Sequence, residues 1–310
     1  MIYVAGAGAF GTAMAVTQAT AERPVTLMAR DSRPMQKSRE SPRLPGVTLP
    51  DTIRVTDLLE TEPDDILLLC VPMQTLSDFL ERHQPKASLV ACCKGIDLKT
   101  GHGPTKIMAS HANGPTAILT GPSFASDIAS GLPTALTLAS SDVSFGETLQ
   151  HALSTDALRL YLSDDPRGAE LGGALKNVIA IACGICMGAK LGESARAALM
   201  TRGFAEMQRI AVALGASTET LAGLAGFGDL ALTCTSSQSR NFSFGYALGA
   251  GTTQPDATTE GRATSRAVVK LAAQHGVDMP IANAVAGMVE GRTSLEDALD
   301  ALLSRPLGKE

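Results

Sequence analysis

Short apolar runs separated by longer amphipathic stretches fill the first half of this chain. IYVA (2–5) and VTLMA (25–29) read as strands, with a helix from Phe10 to Ala21 between them. IRV (53–55), DILLLCV (65–71) and SLVAC (88–92) follow, with a Pro/Arg-rich loop at 42–50 and a helix near 73–83. TAILT (116–120), PTALTLA (133–139) and ALRLYL (157–162) extend the set, with a helix at 142–153 before the last of them. Continuous apolar runs of this length, alternating with helices, predict a parallel sheet covered on both faces.

The pattern changes at Pro166. From there the periodicity is helical throughout, over 166–188, 193–214, about 240–250, 263–275, 280–290 and 294–303, with no strand expected. Asp165-Pro166 suits a helix start, because Pro fits the first turn. Strands first and helices second predict an α/β domain over 1–165 and an all-α domain over 166–310.

Composition narrows the class of function. The chain has 310 residues, 45% hydrophobic and 18% charged, which excludes wholesale disorder. Its net charge is −5, it has no Trp and only three Tyr, so no nucleic-acid partner is expected. Thirty glycines point to tight turns and closely packed helices. No charged leader precedes the first apolar run, and the longest apolar stretch, Val178 to Met187, is interrupted by Gly and too short for a membrane span. The expectation is a cytoplasmic protein. Six cysteines lie mostly within apolar stretches and read as reduced and buried. Cys183 and Cys186 form a C-x-x-C, but no second Cys/His pair follows at zinc spacing, so no metal is expected.

Gly6-Ala7-Gly8-Ala9-Phe10-Gly11 is a G-x-G-x-x-G directly after a predicted strand and at the start of a helix, the context that makes the motif a dinucleotide site. Gly6 permits the turn, Gly8 admits the pyrophosphate to the backbone, and Gly11 lets helix and strand approach. The helix start then holds the anion with its free N–H groups. At the end of the second strand an acidic residue would bind the ribose hydroxyl of NAD, and an Arg the extra phosphate of NADP. Arg30 stands there, followed by Asp31. Arg30 comes first and favours NADP; NAD stays open.

Several polar residues stand out against apolar surroundings. Lys94 follows a predicted strand, where ligands bind in open α/β sheets. Gly121 and Ser123 occupy a similar strand-end turn, TGPSFA. Lys176 falls inside a buried helical stripe, with Gly172 and Gly173 one turn before it. Glycines there cost about 1 kcal/mol each relative to Ala, so either close helix packing or a ligand reaching the lysine demands the clearance. A desolvated lysine beside another cation loses its proton more readily and can exchange it near neutrality. Asp229 sits in a Gly-rich turn, and Ser239, Arg240 and Asn241 open a helix as a cap followed by phosphate-binding groups.

Taken together, GAGAFGTA (6–13), VP (71–72), KGI (94–96), GPSFA (121–125), ELGGALKNVIAIA (170–182), ARAALMTRGFAEM (195–207), AGFGDLALTCTSSQSRN (225–241) and VDMPI (277–281) resemble the bacterial NAD(P)-dependent glycerol-3-phosphate dehydrogenases, in the family's order and across nearly the whole chain. The resemblance implies a homodimeric oxidoreductase that interconverts dihydroxyacetone phosphate and sn-glycerol 3-phosphate for phospholipid synthesis. By the same resemblance Lys176 is the proton-transfer residue. Lys94, Asp229, Arg240 and Asn241 take substrate positions, with Gly121, Ser123 and Ser239 beside them. Ala9, Phe10, Arg30, Lys94, Ala125, Arg240 and Glu260 take dinucleotide positions. The chain departs from the family before Glu260, where a valine-rich approach is usual, and in SPRLPGVTLP, which keeps LPG without the usual asparagine before it. A 3-hydroxyacid or ketopantoate-type dehydrogenase is the rival enzyme, opposed by Arg240 and Asn241, since those substrates carry no phosphate. A non-catalytic dinucleotide sensor would need none of Lys94, Lys176 and Asp229.

Overall fold

The computed structural model describes residues 1–253 and 259–303. The first half runs β1 (Ile2–Ala5), α1 (Ala9–Thr20), β2 (Val25–Met28), α2 (Arg33–Ser38), β3 (Glu40–Ser41), β4 (Leu44–Thr48), β5 (Ile53–Thr56), β6 (Ile66–Leu69), α3 (Leu76–His83), β7 (Ser88–Ala91), α4 (Pro104–Ala109), β8 (Ala117–Thr120), α5 (Ala125–Ala129), β9 (Thr134–Ala139), α6 (Val143–Leu153) and β10 (Leu158–Ser163). Eight strands form one sheet in the order β10-β9-β8-β7-β6-β1-β2-β5. The apolar runs alternate between its faces. Val4, Leu68 and Val90 pack on the side of α1, while Leu67, Leu69 and Leu89 pack on the other.

Two expectations need correction. The sheet is not wholly parallel, because β9 runs antiparallel to β8, with Ile118 opposite Ala139. Only the five-residue α5 lies between them. Five residues give about 7–8 Å of helix, shorter than the roughly 13 Å of a four-residue strand, and the chain re-enters the sheet in the opposite direction. Within 42–50, read as a loop, Leu44–Thr48 instead forms a small antiparallel hairpin with Glu40–Ser41.

The second half is helical among the described residues: α7 (Pro166–Gly188), α8 (Glu193–Ala213), α9 (Thr218–Ala222), a π-helical turn at Leu224–Gly228, α10 (Asp229–Thr235), α11 (Arg240–Gly249), α12 (Glu260–Gln274), α13 (Pro280–Val289) and α14 (Leu295–Leu303). Asp165 caps α7 by accepting the Gly168 N–H at 2.7 Å. With 23 residues α7 is long and apolar enough to cross a membrane, contrary to the sequence reading; 94% of its apolar window is buried inside the protein, as the axle of the helical half. Glycines let α11 lie directly on it. A Cβ at Gly184 would stand 2.1 Å from the Phe242 carbonyl oxygen, and one at Gly245 2.1 Å from that of Ile181. This close packing fixes the start of α11, and with it Ser239 and Arg240, relative to Lys176.

Candidate active site

Three segments distant in sequence meet at the carboxyl end of the sheet. Lys94 follows β7, Lys176 lies on α7, and Asp229 is the first residue of α10. The Asp229 carboxylate bridges both lysines. Its Oδ2 accepts from Lys94 Nζ at 2.5 Å and its Oδ1 from Lys176 Nζ at 2.7 Å. Lys94 Nζ also donates to the Gly121 carbonyl at 3.3 Å, tying the turn after β8 into the cluster. Asp229 is therefore no free turn residue, as its Gly-rich surroundings suggested. The π-helical turn delivers it into a helix and a buried ion chain.

Sequence reasoning missed Thr233. Its hydroxyl accepts from Lys176 Nζ at 2.8 Å and donates to the Asp229 carbonyl at 2.6 Å. The pair stands four residues apart on one face of α10, a spacing legible once 229–235 is read as helix. The glycine pair before Lys176 is explained by packing. A Cβ at Gly172 would meet the Ala225 carbonyl oxygen at 2.5 Å, and one at Gly173 the Thr120 hydroxyl at 2.7 Å.

Burial sets the electrostatics. It lowers the Lys176 ammonium most; Asp229 pulls it back up and Lys94 pushes it down, leaving it at about 8. Burial also opposes the charge on Asp229, but Lys176 and Lys94 outweigh it and hold the carboxyl below its ordinary range. Glu260, half-buried in the first turn of α12, is pushed up by burial, against the pull of Arg240, Lys94 and Lys176. Glu260 thus feels the charges of Arg240 and of both lysines held by Asp229. Arg240 is exposed and makes no ion pair among the described residues.

Other candidates are placed less directly. Ser239 Oγ caps α11, accepting the Phe242 N–H at 3.2 Å. The Asn241 amide spans three helices, donating to Asn177 Oδ1 at 2.9 Å and accepting the Gly261 N–H at 3.0 Å. Ser123 is half-buried, its hydroxyl 3.4 Å from the Gly121 carbonyl.

At the far end of the crevice the glycine loop has the shape a dinucleotide requires. Gly6 has φ +106°, and a Cβ there would lie 2.6 Å from the Cys70 carbonyl oxygen; one at Gly11 would lie 2.0 Å from that of Gly6. A Cβ at Gly8 would meet nothing within 4 Å, so the space above it is open to a ligand. Ala9, Phe10 and Ala125 are partly buried and each packs against the apolar cluster on the α1 face of the sheet. Arg30 is exposed just past β2, while Asp31 accepts the Arg33 N–H at 3.3 Å at the start of α2. These residues fit a dinucleotide.

Comparison with known proteins identifies the family. A family model described as the N-terminus of NAD-dependent glycerol-3-phosphate dehydrogenase matches residues 1–146, and its C-terminal counterpart matches 165–300. The chain belongs to the NAD-dependent glycerol-3-phosphate dehydrogenase family. A relative from Cereibacter sphaeroides named glycerol-3-phosphate dehydrogenase [NAD(P)+] is 59% identical, with all of each chain covered. One of the same name from Paracoccus denitrificans is 55% identical over 100% of this chain and 99% of its own. The crystal structure of glycerol-3-phosphate dehydrogenase from Coxiella burnetii has a TM-score of 0.91 at 36% identity, covering 98% of both chains. Membership makes the chain an NAD(P)-dependent oxidoreductase.

Proposed function

We propose that this dehydrogenase interconverts dihydroxyacetone phosphate and sn-glycerol 3-phosphate, supplying glycerophospholipid synthesis, and that the Lys176–Asp229–Lys94 chain carries the proton chemistry. The observation that supports this reading is the buried Lys176, held at about 8 and hydrogen-bonded to Asp229 and Thr233. Bound in the crevice, a reduced nicotinamide supplies a hydride to a ketone carbon. The chain's own residues do the rest. Lys176 is charged at neutral pH yet releases its proton readily, which suits a donor to the developing alkoxide and, in reverse, an acceptor from the alcohol. Asp229 and Thr233 fix its ammonium, and Lys94 adds positive potential at the same oxygen.

Phosphate recognition falls to Arg240 at the start of α11, with Ser239, Asn241, Gly121 and Ser123 around it. Gly6, Gly8, Ala9, Phe10, Gly11, Arg30 and Ala125 line the dinucleotide end in this reading, and Glu260 in the first turn of α12 joins them from the side of Lys94 and Arg240. Residues 1–165 form the dinucleotide-binding domain and contribute Lys94, Gly121 and Ser123 to the substrate site, while 166–310 supply Lys176, Asp229 and the phosphate-binding groups. The six free thiols suit a cytoplasmic, reducing compartment. Exposed Leu191, Val212 and Phe227 on the helical half suit a homodimer, which sedimentation tests directly.

Mixing the protein with NADPH or NADH and dihydroxyacetone phosphate, and following loss of the reduced nicotinamide absorbance, tests the activity. Oxidation with this substrate but not with 2-oxoacids is expected. Preference for an unphosphorylated 2-oxoacid would overturn the reading.

A further inference from the structure

Two thiols meet under the glycine loop and take no part in the chemistry above. β6 and β7 pair in parallel with Leu69 opposite Ala91, and the ladder runs one step further, the Cys92 N–H donating to the Leu69 carbonyl at 3.0 Å. Cys70 and Cys92 are the next pair in register, so their side chains share a face. That face is the α1 side, where both pack in the same apolar cluster as Leu68 and Val90. The Cys92 thiol itself donates to the Val90 carbonyl at 3.9 Å, and no other polar group among the described residues holds it away from Cys70. Neighbouring strands lie about 4.8 Å apart, within the roughly 4.4–6.8 Å between Cα atoms that a disulfide demands. Cys92 is buried and Cys70 half-buried, so a reagent from solvent meets Cys70 first.

Cys70 is also the floor of the loop. A Cβ at Gly11 would lie 3.0 Å from Cys70 Cβ, and one at Gly6 2.6 Å from the Cys70 carbonyl oxygen. Any displacement of Cys70 therefore reaches both glycines.

We propose that Cys70 and Cys92 form an oxidisable dithiol site beneath the dinucleotide loop, whose disulfide, made by a peroxide-class oxidant, weakens dinucleotide binding. The Cys70 thiol attacks the peroxide, forming a sulfur–oxygen bond and breaking the oxygen–oxygen bond, to give Cys70 sulfenic acid and water. Cys92 sulfur then attacks Cys70 sulfur; a second water leaves with the hydroxyl and the Cys92 proton, and the disulfide remains. Each sulfur loses one electron, and the peroxide takes both. A disulfide draws the two Cβ atoms to about 3.5–4.5 Å, closer than the spacing of adjacent strands, so closure pulls Cys70 toward β7 and away from the glycines it supports. The neighbouring Cys70 and burial both push the Cys92 thiol up, so closure of the sulfenic acid to the disulfide accelerates as pH rises.

The consequence for binding rests on Gly6–Gly11 being the dinucleotide loop. The test treats the whole protein with hydrogen peroxide, with and without NADPH, then maps cysteines by peptide mass. The expected result is a Cys70–Cys92 link that NADPH suppresses, with KM for NADPH raised about tenfold or more, since misplacements of about 1 Å cost up to 10²-fold, and restored by dithiothreitol. Cys92→Ala, which leaves the loop untouched, should keep ordinary activity, form no link and stop at a Cys70 sulfenic acid that dimedone traps. Absence of the link, or a link that leaves the NADPH KM unchanged, overturns the proposal. An unchanged NADPH KM in Gly8→Ala overturns instead the loop assignment on which it rests.

Discussion

Replacing Lys94 by Met should shift the pH dependence of turnover as well as its size. The two lysine ammonium groups contact different oxygens of one carboxylate, at 2.5 and 2.7 Å. They therefore lie about 6 Å apart, where like charges repel by about 3 kcal/mol at an effective dielectric constant near 20. At about 1.36 kcal/mol per pH unit, complete loss of that repulsion is worth about two units. The Lys94 side chain is 17% exposed, and solvent reduces the effect toward about one unit. Removing a neighbouring cation favours the charged form, so Lys176 titrates above its present value of about 8. Ketone reduction needs Lys176 protonated, so its alkaline limb should move up by about one to two units. Alcohol oxidation needs it neutral, so its acid limb should move up equally. The plateau kcat should fall by about 10²–10³-fold, as for loss of one donor at a developing oxyanion. Initial rates in both directions, from neutral to strongly alkaline pH, measure both effects. A lowered plateau with unmoved limbs would refute the electrostatic coupling, and an unaltered plateau would remove Lys94 from the site.

The remaining expectations are independent of that coupling. Lys176→Ala should lower kcat by about 10²–10⁴-fold and leave dinucleotide affinity intact; retention of a tenth of the activity would make Lys176 structural. Arg240→Ala should raise KM for dihydroxyacetone phosphate by about 10–150-fold, the worth of a charge-assisted hydrogen bond, without affecting unphosphorylated dihydroxyacetone. Equal losses on both substrates would assign Arg240 to the fold or to the dinucleotide instead of the phosphate. Gly8→Ala should leave Tm unchanged and raise the dinucleotide KM by about 5–150-fold through overpacking against the ligand, because no protein atom lies near its Cβ. A Tm loss with unchanged KM would place no ligand there. Glu206, which accepts the Ile281 and Ala282 N–H groups at 2.7 and 3.2 Å, is pushed up by burial to about 7 from 4.5. The folded chain thus holds more protons than the unfolded chain between those values, and stability present at low pH is lost as pH rises through about 7. Glu206→Gln should flatten that decline, while its amide NH2 faces one of the two N–H groups and lowers stability by a pH-independent amount of about 1–3 kcal/mol; urea melts showing the same slope with pH as wild type would sink this account.

The strand runs, the glycine loop and the helical second half were legible because each depends on neighbouring residues. Apolar runs mark buried strands, Gly6 must tolerate φ +106°, and the stripe around Lys176 has the period of a helix. The missed elements had weak or ambiguous local signals: short helices such as α4 and α5, the hairpin over 40–48, and α10, disguised by the glycines before it. By sequence alone the apolar stretch within α7 reads as too short for a membrane; the helix is long and apolar enough, and only the helices wrapped around it keep it in the core.

What no local pattern contained was the joining of Asp229 to Lys94, 135 residues away, and to Lys176, 53 away. The direction of β9, the contact of Thr233 with Lys176 and the meeting of Cys70 with Cys92 belong to the same class. Backbone conformation and amphipathic period are set by the residues beside a position. The charge state of a lysine is set by what surrounds it in space, since both the loss of water and the distance to a counter-ion arise only when separate segments pack. The sequence supplied a lysine in an apolar helix; the packing of α10 and the turn after β7 against that helix made it an acid near neutrality.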